Sequence, residues 1–384
     1  MQTEDQTRTT GSMAGTMTGQ FQQLRDMDAL LKDFYRWLAG QYDPQSGGFY
    51  YAHSSIGHPE FQPDIESTAQ AVNIMAASGL IPAMPEWMKK GLISFFHQRQ
   101  QPESGFFYDP HNGMAKVDRM AGRAVNYSVS SLRLLGAAPL YPVPGVGGTG
   151  TLPEYMRDLP PFKRWMSERT WSNAWSACDN ISATTIFIEH LPEKEKQAYL
   201  DAVVDFLAEK QDPETGMWGG GRPYIRISGV FKLMLFYRRF NIPLPGAREI
   251  LASLFQALRA DTSEDMCWTR NSVEVLAALK YQISGIPRAD IAECFEITLK
   301  NLGRYLKADG GFSRHLESSM ESPNEMPLGL GLAEGDMNAG TQALRVRNLC
   351  YGIAGEKAGP LREFIENFFE ICAGKQALMN TNTQ

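Results

Sequence analysis

The stretch from Phe206 to Gly221 reads FLAEKQDPETGMWGGG, in which a helical segment runs into a Gln-Asp-Pro turn that ends in glycine and an aromatic residue. Related segments read WLAGQYDPQSGGFYY (37–51), FFHQRQQPESGFFYDP (95–110) and, shortened, YLKADGGFSRH (305–315). Proline after aspartate disfavours further helix, and glycine permits the positive φ of a tight reversal. The recurrence predicts a repeated helix pair, with a structural role for Gln211, Gly216 and Trp218.

The predicted helices fall into two alternating sets. An amphipathic set, charged along one side, covers 21–42, 84–101, 153–168, 193–211, 244–260 and 287–308. Helices of the other set carry small and apolar side chains almost all round, with polar side chains in their first two turns. They cover 64–80, 120–136, 172–191, 224–240, 268–283 and 336–353. Alternation of six outer and six inner helices predicts an all-α fold, an (α/α)6 toroid in which each pair buries its apolar face against its neighbours.

Length and composition favour a single globular domain. The chain has 384 residues, 43% of them hydrophobic, which is enough for a sizeable core. We expect one toroid domain over residues 21–374, closed by a last helix at 357–373. Residues 1–20 and 375–384 are expected to be disordered tails, because they lack an apolar periodic pattern.

Net charge and cysteine content limit the partners and the cellular compartment that we expect. The net charge of -6 comes without a long basic run, so we expect neither nucleic acid nor a membrane as a partner. The five cysteines form no CxxC and no zinc spacing, and the N-terminus has no apolar signal, which together favour a cytoplasmic protein. The sequence leaves the oligomeric state open.

The third repeat resembles a known motif. Phe206-Leu207, three residues, Gln211 and then Gly216-Met217-Trp218 is similar to the QW repeat of squalene and terpene cyclases and of protein prenyltransferase β-subunits. GGFYY followed by PDIESTAQAV, within residues 47–72, resembles it too. The resemblance implies the toroid. Glycoside hydrolases and polysaccharide lyases use similar toroids, so the likeness does not choose the chemistry.

The catalytic motifs of the resembling families are missing. No DxDD run matches the acid motif of the cyclases, and Cys178-Asp179 is the only adjacent Asp/Cys pair that could begin a prenyltransferase zinc site. The nearest histidine, His190, lies at the far end of the same predicted helix, and the Cys-His pair of lanthionine cyclases is absent as well. We therefore predict no metal and no cofactor, and an isoprenoid enzyme remains only an alternative.

The early turns of the inner helices would line the central pocket of such a ring. The residues expected there to bind substrate are Asp64, Glu66, Arg123, Asn126, Tyr127, Trp171, Asn173, Trp175, Tyr224, Arg226, Trp268, Arg270, Asn271, Asn338 and Arg345. Tryptophan packs on the apolar face of a sugar, amides and carboxylates bond its hydroxyls, and arginine grips a carboxylate. The pattern predicts an oligosaccharide, and the arginines favour uronic acid in it.

Glycoside hydrolysis uses two carboxyl groups, one as acid and one as base or nucleophile. We predict Asp179 as the general acid, since the stretch AWSACD is apolar, with Asp336 or Glu274 as the base. Alternatively, Asp179 caps a helix or pairs with Arg226. Asp64 precedes a good helix start, so N-capping is the simpler prediction for it.

A lyase acting on the same substrate is the second alternative. Asn126 or Asn271 would then neutralise the uronate, Tyr127 would remove a proton and an arginine would steady the enolate. The length and the polar pocket are similar to those of unsaturated glucuronyl hydrolases, which favours hydrolysis.

Overall fold

The computed structural model describes residues 21–111, 113–114, 118–144, 152–359, 361, 365 and 367–382. The tail predicted over residues 1–20 lies outside these ranges. The α-helices, numbered in chain order, are α1 (Gln22–Leu30), α2 (Phe34–Gly40), α3 (Ile65–Ala77), α4 (Glu86–His97), α5 (Asp118–Leu134), α6 (Leu159–Ser167), α7 (Ala174–Ala183), α8 (Thr185–Glu189), α9 (Glu193–Lys210), α10 (Pro223–Arg239), α11 (Ala247–Ala260), α12 (Met266–Gln282), α13 (Arg288–Tyr305), α14 (Met337–Ala354) and α15 (Phe368–Asn382).

The all-α prediction is confirmed. Each of the twelve predicted segments holds a helix within a few residues of its expected bounds, except at the start of α6, and within the described ranges the only β-structure is a set of isolated antiparallel bridges. One set of buried side chains links the helices into a continuous apolar core that extends from Phe21 to Cys372. This core is the main source of stability, because the hydrophobic effect is proportional to the apolar area removed from water.

Two of the predicted helices are divided. The first outer helix breaks between α1 and α2, and the third inner helix breaks at Thr184 between α7 and α8. The Thr184 hydroxyl donates to the carbonyl of Ile181 at 2.7 Å, which offers the backbone an alternative to the regular helical bond. The apolar pattern continues across the break, so the periodicity did not reveal it.

The six helices predicted as inner pack on one another in a defined order. Contacts join α5 to α3, α3 to α14, α14 to α12, α12 to α10 and α10 to α7. The helices predicted as outer pack on this set: α4 contacts α5, α11 contacts α10 and α12, and α13 contacts α12 and α14. Each inner helix thus packs on the next inner helix along the chain, except that α5 and α7 make no comparable contact within the described residues, and α14 packs back on α3.

The repeated turns are closed by isolated antiparallel bridges. These join Tyr42 to Phe49, Gln100 to Phe107, Gln211 to Trp218 and Leu306 to Phe312. In the third turn the Gly216 N–H donates to the Asp212 carbonyl at 2.8 Å, and Gly216 has a φ of +67°. A Cβ at Gly216 would lie 2.8 Å from the carbonyl oxygen of Gly246, so both the conformation and the space require glycine.

The structural role predicted for Gln211, Gly216 and Trp218 in the third turn is confirmed. The Trp218 side chain is fully buried, and its Nε1 donates to the Leu207 carbonyl at 2.8 Å. Gln211 Nε2 donates to the carbonyls of Gly216 at 2.7 Å and Pro245 at 3.0 Å. The glutamine thereby ties its own turn to the start of the next helix pair.

The last helix differs from its prediction. It was expected over 357–373, with a disordered tail from 375, but α15 begins at Phe368 and continues to Asn382. Gly374 does not end it, and Lys375 Nζ donates to the carbonyls of Gly40 at 2.6 Å and Tyr42 at 2.5 Å. A cation at the end of α2 satisfies carbonyls that the helix leaves free, which ties α15 to α2.

Candidate functional site

Polar side chains connect the first halves of neighbouring inner helices. Asn338 Nδ2 on α14 donates to Glu66 Oε1 on α3 at 3.4 Å, and Gln342 Nε2 donates to Asn338 Oδ1 at 2.8 Å. One turn further along α14, Arg345 Nε donates to Glu274 Oε1 on α12. We call these five residues the polar row. It places two carboxylates of the predicted site on the two helices that flank α14.

The two carboxylates of the polar row are both shielded from water. Glu66 is 1% exposed and Glu274 is 4% exposed. The Arg345 side chain, by contrast, is 55% exposed although it pairs with Glu274. Its guanidinium therefore still has donors that can reach an incoming anion, because a guanidinium carries five N–H groups.

Arg123 and Tyr127 form a second contact, on α5. Arg123 Nη2 donates to the Tyr127 hydroxyl at 2.8 Å. Burial, together with the negative charge of Glu66, raises the pKa of Tyr127 to about 12, although Arg123 lowers it. Asn126, its neighbour in sequence, is exposed on another side of the helix. This phenol holds its proton at neutral pH, which does not suit the base that a lyase needs.

Asp179 does not have the apolar surroundings that were predicted for it. Its Oδ1 lies 2.7 Å from Lys232 Nζ on α10, and its side chain is 44% exposed. The same ammonium lies 5.8 Å from the centre of the Trp175 ring, which is itself 43% exposed. Ala174, Ala177 and Cys178 of this stretch face the core, whereas Trp175 and Asp179 lie on more exposed sides of α7. The side chains of Asp179, Lys232 and Trp175 instead form an accessible cluster of aromatic and charged groups.

Asp336 is a helix cap. Its Oδ1 accepts from the Ala339 N–H at 2.8 Å and its Oδ2 accepts from the Arg314 N–H at 2.7 Å, and the residue is fully buried. Burial raises the pKa of Asp336 from 3.8 to about 6, although these two N–H donors lower it. Both oxygens are occupied within the core, so the side chain has no free face for a substrate.

Asp64 caps α3, as the simpler prediction held. Its Oδ1 accepts from the Ser67 N–H at 2.8 Å. Asp109, which the sequence did not single out as a site residue, accepts from the Ile65 N–H at 3.0 Å and pairs with Arg99 at 2.9 Å. Burial and the nearby Asp109 charge raise the pKa of Asp64 well above its usual value. The signal for Asp109 was its place in the repeat, directly before Pro110.

Several residues predicted to bind substrate serve the fold. Trp171 Nε1 donates to the Met166 carbonyl at 3.0 Å, and the Asn173 side chain caps α7. Arg226 Nη2 binds Asp212 at 3.0 Å and Thr215 at 2.8 Å in the third repeated turn, so it does not pair with Asp179. The sequence does not reveal these contacts of Trp171 and Arg226, because their partners lie on another element or further along the chain.

The remaining predicted residues lie around α10 and α12. Tyr224 is fully buried, and its ring stacks on that of Trp268 with the ring centres 5.9 Å apart. Asn271 Nδ2 donates to the Ser228 hydroxyl at 3.0 Å, and the Arg270 guanidinium lies 4.4 Å from the Phe231 ring centre. These contacts hold α10 against α12. Glu274 lies next to them on α12.

A cavity of about 630 Å³ begins at Glu274. It is lined by the second halves of α10, α12 and α14 and by the residues that follow α10, and its walls include Met234, Ile242, Leu244, Ala277, Ala278, Tyr281, Asn348, Leu349 and Gly352. Sequence reasoning had placed the pocket at the early turns only. The small residues Ala277, Ala278 and Gly352 leave this space, and no pattern in the sequence marks them as cavity residues.

The described residues hold neither a cluster of metal ligands nor a membrane-spanning helix. In the described part of the chain no three His, Cys, Asp or Glu side chains lie close enough to hold a metal ion, and the five cysteines are free thiols. Among the same residues, every helix is too short or too polar to cross a membrane.

The chain matches no protein-family model and no curated protein sequence. Any assignment of function therefore depends on the residues of the site.

Proposed function

We propose that the six helices predicted as inner form the wall of an (α/α)6 toroid and that the protein is a glycoside hydrolase. The proposal takes the polar row as the centre of the site and a uronic-acid-containing oligosaccharide as the substrate. Support for the toroid comes from the order of packing, in which α3, α14, α12 and α10 are successive neighbours and α11 and α13 lie outside them.

The polar row is the observation that carries the proposal. Burying ionised groups costs several kcal/mol unless each is paired, so two buried carboxylates beside amide groups and one exposed guanidinium are unusual where no ligand binds. Amides and carboxylates bond sugar hydroxyls, and Arg345 supplies the planar donor fork that recognises a carboxylate. The same charges disfavour an isoprenoid substrate, whose hydrocarbon chain could not satisfy them.

Glu274 and Glu66 are the carboxyl pair in this proposal. The uronate of the substrate binds the Arg345 guanidinium, which brings the glycosidic oxygen next to the Glu274 carboxyl group. Glu274 then gives its proton to the glycosidic oxygen as the C–O bond breaks. Glu66, held by Asn338, takes a proton from the water that adds to the anomeric carbon.

The other groups have supporting roles. Trp175 offers a half-exposed ring for a sugar face, with Asp179 and Lys232 beside it for hydroxyl and carboxylate groups. Asp179 is a binding residue here, because its carboxylate is accessible and pairs with the Lys232 ammonium. Asp336 and Asp64 position α14 and α3 through their caps. The lyase alternative is weaker, since Tyr127, the phenol that it would use as the base, holds its proton.

The test is turnover of neutral and uronic-acid oligosaccharides by the full chain, followed by mass spectrometry. The wild type should cleave the uronic-acid substrates, and Glu274→Gln and Glu66→Gln should each lose at least about 100-fold in rate. Glu209→Gln is the matched control, since Glu209 is exposed on α9. Failure to cleave any member of the panel, or full activity of Glu274→Gln, would refute the proposal.

A further inference from the structure

The face shared by α12 and α14 changes character along its length. In the first halves of these helices it carries charged and amide groups, and in the second halves it carries Ala277, Ala278, Leu349 and Gly352. Glu274 belongs to both parts, because it pairs with Arg345 and also lines the cavity. The polar row and the apolar cavity are therefore continuous and meet at one carboxylate.

The size and the walls of the cavity suit a small apolar group. A volume of about 630 Å³ is within the range of small-molecule sites, which are about 300–1,000 Å³. Its walls also carry Arg238, Asn241 and Asn348, and Lys280, another lining residue, donates from Nζ to the Ile353 carbonyl. An oligosaccharide would leave its hydroxyls without partners against Met234, Ile242 and Leu244, which makes the cavity a poor sugar subsite.

We propose that the cavity holds the aglycone of the substrate, and that this aglycone is an alkyl or aryl group. The inference rests on the proposed function and extends its substrate class to uronic-acid saccharides that carry an apolar alcohol or phenol at the anomeric carbon. Glu274 stands at the junction, so its proton goes to the oxygen between sugar and aglycone. The C–O bond to the anomeric carbon breaks, the alcohol leaves with that proton, and water supplies the hydroxyl of the free sugar.

The experiment compares methyl and butyl glucuronides, each as the α and the β anomer. Burying a methylene strengthens binding about fourfold, so three more methylenes should raise kcat/KM by about 50-fold. Gly352→Leu should abolish this preference for butyl, because a Cβ at Gly352 meets nothing within 4 Å and the longer side chain fills the cavity. Ala278→Val is a second filling variant, and both should keep the wild-type melting temperature while losing the preference for butyl.

Gly303→Leu is the matched control. Gly303 also has open space around it, but it lies on α13, away from the cavity, so this variant should keep the preference for butyl. Equal turnover of methyl and butyl glucuronides by the wild type would overturn the aglycone site and leave the hydrolase standing. Turnover of oligosaccharides but of neither alkyl glucuronide would also overturn it. Failure of every glycoside would overturn the proposed function and the inference together.

Discussion

The stability of the protein should fall as Asp336 ionises. Its pKa is raised from 3.8 to about 6 because the carboxyl group is fully buried. A raised pKa means that the folded state prefers the protonated form. The stabilisation is therefore fully present below pH 3.8 and is lost as the pH rises through about 6. A shift of this size corresponds to about 3 kcal/mol in total, of which about 2 kcal/mol falls between pH 4 and pH 7.

Asp336→Asn isolates this contribution. The amide oxygen can still accept from the Ala339 N–H, while the amide nitrogen faces the Arg314 N–H at a cost that does not vary with pH. Urea unfolding of both proteins from pH 4 to pH 7 gives the difference in unfolding free energy at each pH. This difference should move in favour of the variant by about 2 kcal/mol as the pH rises. A difference that stays constant over this range would refute the reasoning.

Three other substitutions test separate parts of the structure. Gly216→Ala should lower the unfolding free energy by about 2 kcal/mol, because its φ of +67° and the Gly246 carbonyl leave no place for a Cβ, whereas Gly303→Ala should be neutral in the same urea titration. Arg99→Met should cost about 3–5 kcal/mol at pH 7 and less in acid, since it leaves the Asp109 carboxylate buried without its cation; an equal loss at both pH values would contradict this. Tyr127→Phe should keep glycoside hydrolysis within about threefold of wild type, because the pKa of about 12 excludes the phenol as a base, and abolished turnover would favour the lyase.

The helices could be predicted closely from the sequence because their signals are local. Periodic apolar positions, Asp-Pro steps and the glycines of the turns placed most helices to within a few residues, with the start of α6 and the bounds of α15 as the exceptions. The errors have local causes too. The hydroxyl of Thr184 breaks a helix whose apolar pattern continues, and Gly374 lies within α15 although glycine often ends helices.

The site was predicted less well because its partners come from distant parts of the chain. Asp64 and Asp336 both precede helix starts, and both proved to be caps, although only Asp64 was given that prediction. For Asp179 the sequence shows apolar neighbours, but a helix turns them to the core and leaves the carboxylate beside Lys232. No local pattern indicates that pair.

The contacts of the two carboxylates of the polar row were equally hard to predict from the sequence. Glu66 and Glu274 were placed among the lining residues by their position in the early turns of inner helices. Their connection through α14 depends on which helices are neighbours in space, and the alternation of helices does not state that directly. The apolar cavity was missed because small residues in a helix are as common in tight packing as in open space.

Hydrolysis in water labelled with heavy oxygen tests the central claim most directly. A uronic-acid oligosaccharide incubated with the wild-type chain should yield products in which the new anomeric hydroxyl carries the label, and Glu274→Gln should yield none. An unlabelled, unsaturated product with new ultraviolet absorbance would show a lyase, and labelled products from Glu274→Gln at the wild-type rate would remove the polar row from the reaction.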